Sequence, residues 1–189
     1  MSLAFRAFIC IDLAVSESVK EFAGALRRTR APLKLVDLSI LHLTLKFLGD
    51  TPESAVKDVL ASMEAAASGE PSFEVRLAGT GVFPAESRIN VVWVGIEDGG
   101  RIARLTAKLE DEMGRRGFPG EDREFHAHAT IARVKGPQER EALLAAVKAH
   151  SAVDFGAQRV ESLLLKKSVL SPQGPAYSDV GVVRLPRAT

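Results

Sequence analysis

The chain has 189 residues, 46% of them hydrophobic, enough to bury a proper core as one domain or as two small lobes. Its 25 Lys and Arg against 24 Asp and Glu leave a net charge of +1, which excludes the global basic signature of a duplex nucleic-acid binder, so any anionic ligand must meet a local patch. A lone cysteine, Cys10, excludes an internal disulfide and most thiolate metal sites and points to a reducing cytoplasm, and no run nears the ~18 apolar residues of a membrane helix; a membrane-free protein is expected, and a monomer, although the sequence does not fix the oligomeric state.

Phe5 to Leu13 is apolar and rich in β-formers, which predicts a strand. Ser16 stands before Val19, Phe22, Ala23 and Leu26 at helical spacing and marks a helix N-cap. Arg27, Arg28 and Arg30 close that helix, where the dipole favours cations. After Pro32 come a short strand near Leu33 to Val36 and a longer one from Leu41 to Leu48. Gly49-Asp50-Thr51-Pro52 reads as a turn into a helix capped by Thr51, with Val56, Val59, Leu60 and Met63 as its buried stripe. A second cycle follows, with strands at Ser72 to Leu77 and Ile89 to Ile96, the latter so apolar that Trp93 is expected in the core. Ile102, Leu105, Leu109 and Met113 mark an amphipathic helix stopping near Gly117. Glu124 to Val134 predicts another strand, and Gly136-Pro137 introduces a helix carrying Leu143, Leu144 and Val147. Val160 to Leu170 and Tyr177 to Arg184 are the expected closing strands.

Two of these strands share a pattern: His42-Leu43-Thr44-Leu45 and His128-Ala129-Thr130-Ile131. Strand side chains alternate faces, so each segment presents one imidazole and one hydroxyl from the same face. Side by side, the two strands supply a general acid, a general base and two hydroxyl donors, a minimal set for breaking a phosphate ester without a metal. One motif in each half of the chain suggests an α+β fold that is duplicated and bilobal. In it, two antiparallel sheets line a central cleft with helices outside, all within a single domain, 1–189, of two pseudo-symmetric lobes.

Other residues have more than one reading. Lys46 shares parity with His42 and Thr44, yet a strand-end lysine is ordinarily solvated. His126 and His128 form a His-x-His pair able to supply two metal ligands, but no Asp-x-His or cysteine pair accompanies them, so His126 reads as a cleft-edge residue and no metal is expected. His150 sits where it would favour a helix dipole. The basic stretch from Arg27 to Lys34 reads as a solvated helix end, with contact to an RNA backbone as the alternative. Phe83, Trp93 and Tyr177 are candidates for stacking on bases, with core packing the favoured reading of Trp93.

The run Leu41-His42-Leu43-Thr44-Leu45-Lys46-Phe47-Leu48-Gly49, with the second His-x-Thr, resembles the 2H phosphoesterase superfamily, and within it the RNA 2′,3′-cyclic phosphodiesterase (2′-5′ RNA ligase) branch. Phe5-Arg6-Ala7-Phe8-Ile9 is similar to that family's opening strand, Phe83-Pro84 with Arg88 and Trp93 to its middle, and Leu164 to Leu170 followed by Gly174-Pro175-x-Tyr177 to its end. Ala127 departs from it, standing where a proline often precedes the second histidine. The resemblance implies cofactor-free hydrolysis of an RNA-terminal 2′,3′-cyclic phosphate, or of small cyclic nucleotides, to a 2′-phosphate. It also implies His42 as proton donor to the departing 3′ oxygen, His128 as proton acceptor from water, and Thr44, Thr130 and Arg133 as phosphate ligands. Strict alternation sets Arg133 on the face opposite His128, so a bend or a long reach is needed. Alternatives are 2′-5′ ligation of RNA ends at the same site and an RNA- or nucleotide-binding module with little turnover. Two groups able to exchange protons argue against the latter.

Overall fold

The computed structural model describes residues 4–121, 124–171 and 174–187. The elements in chain order are β1 (Ala4–Asp12), α1 (Glu17–Arg28), β2 (Leu33–Leu35), β3 (His42–Pro52), α2 (Val56–Ala67), β4 (Phe73–Ala85), β5 (Arg88–Glu97), α3 (Arg101–Gly114), β6 (His128–Val134), α4 (Arg140–Ala149), β7 (Asp154–Val160), β8 (Ser162–Ser171) and β9 (Gly174–Arg184). Short 3-10 turns lie at Leu38–Ile40 and Glu53–Ala55.

Ser16 caps α1 as its position predicts, its hydroxyl accepting from Val19 N at 3.3 Å, and Val19, Phe22, Ala23 and Leu26 form the buried face. Three expectations change. Gly49 to Pro52 is not a turn: these residues continue β3, pairing with Ala7 to Ala4 of β1, because the neighbouring strand satisfies their backbone groups. Thr51 is therefore buried in the strand, its hydroxyl donating to Gly49 O at 3.2 Å, and α2 starts from a 3-10 turn without a side-chain cap. The second motif strand begins at His128 rather than Glu124, and the segment 154–160 forms a strand of its own ahead of β8.

All strand pairs are antiparallel and the order is β7-β4-β5-β6-β3-β1-β8-β9, with β2 beside β6. The two sheets expected from the sequence are thus one continuous nine-stranded sheet. Its two four-strand arms meet at the single β3–β6 register pair Leu43↔Ala129. The sheet is curled: β7 and β1 are far apart in strand order, yet Gln158 Nε2 on β7 donates to Asp12 O at 2.9 Å.

One face is covered by helices, α2 against α3 and α1 against α4. Ile9, Ile11, Leu43, Leu45, Val92, Val94, Ala129, Ile131, Leu163 and Leu165 form the core beneath them. At ~25 cal/mol per Å² of apolar area removed from water, this face dominates stability. It also immobilises the backbone of both motif strands, leaving their other face open. No helix among the described residues is long and apolar enough to cross a membrane.

One bulge just after each His-x-Thr motif resets the side-chain alternation. In the β1–β3 ladder Cys10 pairs with Thr44 but Ile9 with Lys46, so Leu45 is the extra residue. In the β5–β6 ladder Trp93 pairs with Thr130 but Val92 with Ala132, so Ile131 is extra. A bulge puts two successive residues on one face and turns the next to the other. Leu45 with Lys46, and Ile131 with Ala132, accordingly both point into the helix-covered side.

Candidate active site

The open face is built from the two motif strands outward. His42 and Thr44 alternate with the buried Leu43 and Leu45, and His128 and Thr130 with the buried Ala129 and Ile131, so both pairs reach the open face together. Extending the Leu43↔Ala129 register by one residue sets His42 across from Thr130 and Thr44 across from His128. The two histidines are then diagonal neighbours on the same face, roughly 7–8 Å apart at Cα.

Both histidines are held in the same way. His42 Nδ1 donates to Ile40 O at 2.8 Å, and His128 Nδ1 donates to His126 O at 2.6 Å. A carbonyl only accepts, so each Nδ1 carries hydrogen and each Nε2 is the atom that can gain or release a proton. Burial holds both imidazoles below their ordinary pKa. The bonds to Ile40 and His126 oppose that shift in part, while the Arg133 charge adds to it at both rings.

Aromatic rings wall each histidine. Phe8 and Tyr177 lie 5.1 and 5.3 Å from the His42 ring, and Phe83 and Trp93 lie 4.9 and 6.3 Å from that of His128. Trp93 is therefore not a core residue as its apolar run suggests. It pairs with Thr130 on the open face, and its ring lies over Gly81, where an added Cβ would come within 2.1 Å of Trp93 Cζ2. Glycine there lets the indole lie flat.

Arg133 reaches the open face because of the Ile131 bulge, so neither the bend nor the long reach that strict alternation demands is needed. Its charge is felt at His42, His128 and Tyr177. Lys46 is turned the other way by the bulge at Leu45. It is neither solvated nor in the cleft: its Nζ donates to Glu110 Oε1 and Oε2 at 2.8 and 2.7 Å and to Pro119 O at 2.9 Å, joining β3 to the α3 region. His126 is exposed at the cleft edge, with Nε2 4.0 Å from Glu124 Oε2. Among the described residues no group of three or more His, Cys, Asp or Glu could hold a metal ion. His150 Nδ1 donates to Ala146 O at 2.8 Å, closing α4.

A profile of the 2′-5′ RNA ligase superfamily matches residues 15–165, a span that includes both His-x-Thr strands. The chain belongs to this superfamily. Among its relatives, the RNA 2′,3′-cyclic phosphodiesterase of Methanothermobacter thermautotrophicus is 36% identical over 182 residues, covering 95% of this chain and 98% of that one. The RNA 2′,3′-cyclic phosphodiesterase of Archaeoglobus fulgidus is 33% identical over 182 residues, covering 94% and 98%. In three dimensions the chain is similar to TT0787 of Thermus thermophilus, with a TM-score of 0.81, 32% identity and coverage of 97% of this chain and 100% of the other.

On this 2′-5′ RNA ligase scaffold a further cation stands beside Arg133. Lys34 on β2 is the register partner of Arg133, exposed on the same side, and its Nζ lies 3.5 Å from the position a Cβ on Gly174 would take. Like charges directly opposite on neighbouring strands repel, so the pair is relieved by an anion between them. The sequence shows Lys34 only as the end of a basic stretch. Its place beside Arg133 follows from β2 joining β6 where β3 has diverged.

Proposed function

We propose that this protein hydrolyses RNA-terminal 2′,3′-cyclic phosphates, and small cyclic nucleotides of the same chemistry, to 2′-phosphates without a metal. The observation that carries the reading is the pair of His-x-Thr strands, each imidazole tied through Nδ1 to a backbone carbonyl with Nε2 left for proton transfer. Relatives at 36% and 33% identity that bear the name RNA 2′,3′-cyclic phosphodiesterase support it.

In this mechanism His128 Nε2 takes a proton from water as the water oxygen bonds to phosphorus. The bond from phosphorus to the 3′ oxygen breaks, and that oxygen receives the Nε2 proton of His42. The product keeps its phosphate on the 2′ oxygen, and the two histidines exchange protonation states, which solvent resets. Thr44 and Thr130 donate to the non-bridging oxygens, and Arg133 offsets their charge where it grows. The substrate is already strained and anionic, so positioning and proton transfer supply most of what the reaction requires. The same reading takes residues 1–189 as one domain of two pseudo-symmetric lobes, β1 and β3 corresponding to β5 and β6. It makes the protein a cytoplasmic monomer, in which one chain supplies both histidines and Cys10 stays a buried thiol.

The test is an oligonucleotide ending in a 2′,3′-cyclic phosphate, incubated in EDTA with wild type, His42→Ala, His128→Ala and His126→Ala, with 2′- and 3′-phosphate products resolved. The expected result is 2′-phosphate from wild type and His126→Ala, with about 10²–10⁴-fold loss in the other two. No turnover by folded wild type would refute the reading and leave a binding module. Supplying a 5′-hydroxyl end in the same tube reports 2′-5′ ligation.

A further inference from the structure

The two halves of the site are nearly superposable in pattern, and nothing in a His-x-Thr motif says which imidazole should begin turnover with the proton. The strand beside each histidine is where they differ. Asp12 on β1 is the register partner of His42, whereas Gly95 on β5 is the register partner of His128. Register partners share a face, with Cβ atoms about 4.5–5.5 Å apart, so His42 has a carboxylate at this position on the neighbouring strand and His128 has none there. No side chain fits at the second position, because a Cβ on Gly95 would lie 2.7 Å from Ala78 O.

Asp12 is fixed from two sides. Lys166 Nζ on β8 bonds Asp12 Oδ2 at 2.9 Å and Asp179 Oδ1 on β9 at 2.9 Å, while Gln158 Nε2 holds the Asp12 carbonyl at 2.9 Å. One lysine between two carboxylates leaves a net negative row running across the open face to His42. The other titratable and charged groups around this imidazole are Cys10 on β1, its thiol pushed up to about 12 by burial, Tyr177 on β9, which burial also keeps neutral, and Arg133 on β6. His128 lies diagonally across. Among the described residues the groups whose charge bears on His128 are His126 and Arg133.

We propose that Asp12, anchored by Lys166, is a positioning residue that designates His42 rather than His128 as the histidine carrying the proton at the start of the reaction. The inference rests on the hydrolase reading above and supplies the physical reason for its division of labour. The carboxylate touches neither water nor phosphate in this scheme. It acts through the imidazole by favouring its charged form, and because Arg133 disfavours that form at both rings, the carboxylate beside His42 is what sets the two apart.

Two substitutions with opposite signs test this. In a pH profile of kcat/KM the descending limb reports loss of the acid's proton. Asp12→Asn is expected to pull that limb to lower pH and reduce the rate at pH 8 by about fivefold beyond any loss on the plateau, the size of one partly solvated charge pair. Lys166→Met removes a cation and is expected to push the same limb to higher pH. The His42 imidazole, followed by NMR titration without substrate, is expected to shift in the same two directions. A purely structural role for Asp12 lowers the whole profile without moving its limbs and leaves the NMR titration unchanged, and either result overturns the proposal. Movement of the ascending limb in Asp12→Asn would overturn it as well, by making His42 the base. A wild type without turnover would defeat the hydrolase reading instead, while the NMR titration would still decide what Asp12 does.

Discussion

Lys46 offers the sharpest separation of scaffold from site, because its strand parity nominates it for the cleft and its bulge removes it. Its side chain is 2% exposed and its ammonium is fully engaged by Glu110 and the Pro119 carbonyl, whereas Glu110 retains 26% exposure. Lys46→Met preserves the apolar stem but strands the Glu110 carboxylate and a carbonyl. Breaking a fully buried pair costs about 3–5 kcal/mol, and the water still reaching Glu110 places the expected loss nearer 2–3 kcal/mol. For a chain of this size that is a Tm reduction of roughly 4–12 °C, measurable by calorimetry and by urea unfolding. Replacing Glu110 by Leu in the same chain is expected to restore much of it, since an apolar pair of similar volume avoids the stranded charge. At a temperature where the variant is folded, kcat/KM on the cyclic phosphate should equal that of wild type. A stability change under about 0.5 kcal/mol, or a kcat/KM defect in the folded variant, would refute the assignment of Lys46 to the scaffold.

Thr44→Val and Thr130→Val keep shape and remove the hydroxyl, and each is expected to lower kcat on the order of 10-fold or more in steady-state assays. Lys34→Ala is expected to raise KM for an oligonucleotide and to reduce the magnitude of the log–log salt slope of binding by about 1, as loss of one phosphate contact does. Burial lowers the folded-state pKa of His42 and His128, so the unfolded chain binds more protons near the ordinary histidine value. Stability is then complete above pH ~6.5 and declines as pH falls through the folded values. Urea titrations from pH 7.5 to 5 should show this decline flattened in the His42→Ala/His128→Ala double variant. With its thiol pushed up to about 12, Cys10 should resist alkylation at pH 8 in the native protein and react once it is unfolded.

The sequence by itself determined the local matters. Ser16 and the apolar spacing after it specify α1, the amphipathic run from Ile102 to Met113 specifies α3, and His-x-Thr in an apolar strand specifies an imidazole and a hydroxyl on one face. These depend on residues within a few positions of one another, where periodicity and capping carry the information. Tertiary structure decided which strands became neighbours, and through that the rest of the site. The extra residues at Leu45 and Ile131 are invisible as a pattern, because a bulge exists only relative to a partner strand, yet they send Lys46 to the core and Arg133 to the cleft. Trp93 reads as core from its own strand, and only its pairing with Thr130, with a glycine opposite it on β4 to make room for the ring, sets it on the open face. Asp12 beside His42, and Gly95 beside His128, are likewise facts of register. Register is fixed by non-local hydrogen bonding and packing, which a linear pattern of residue types does not contain.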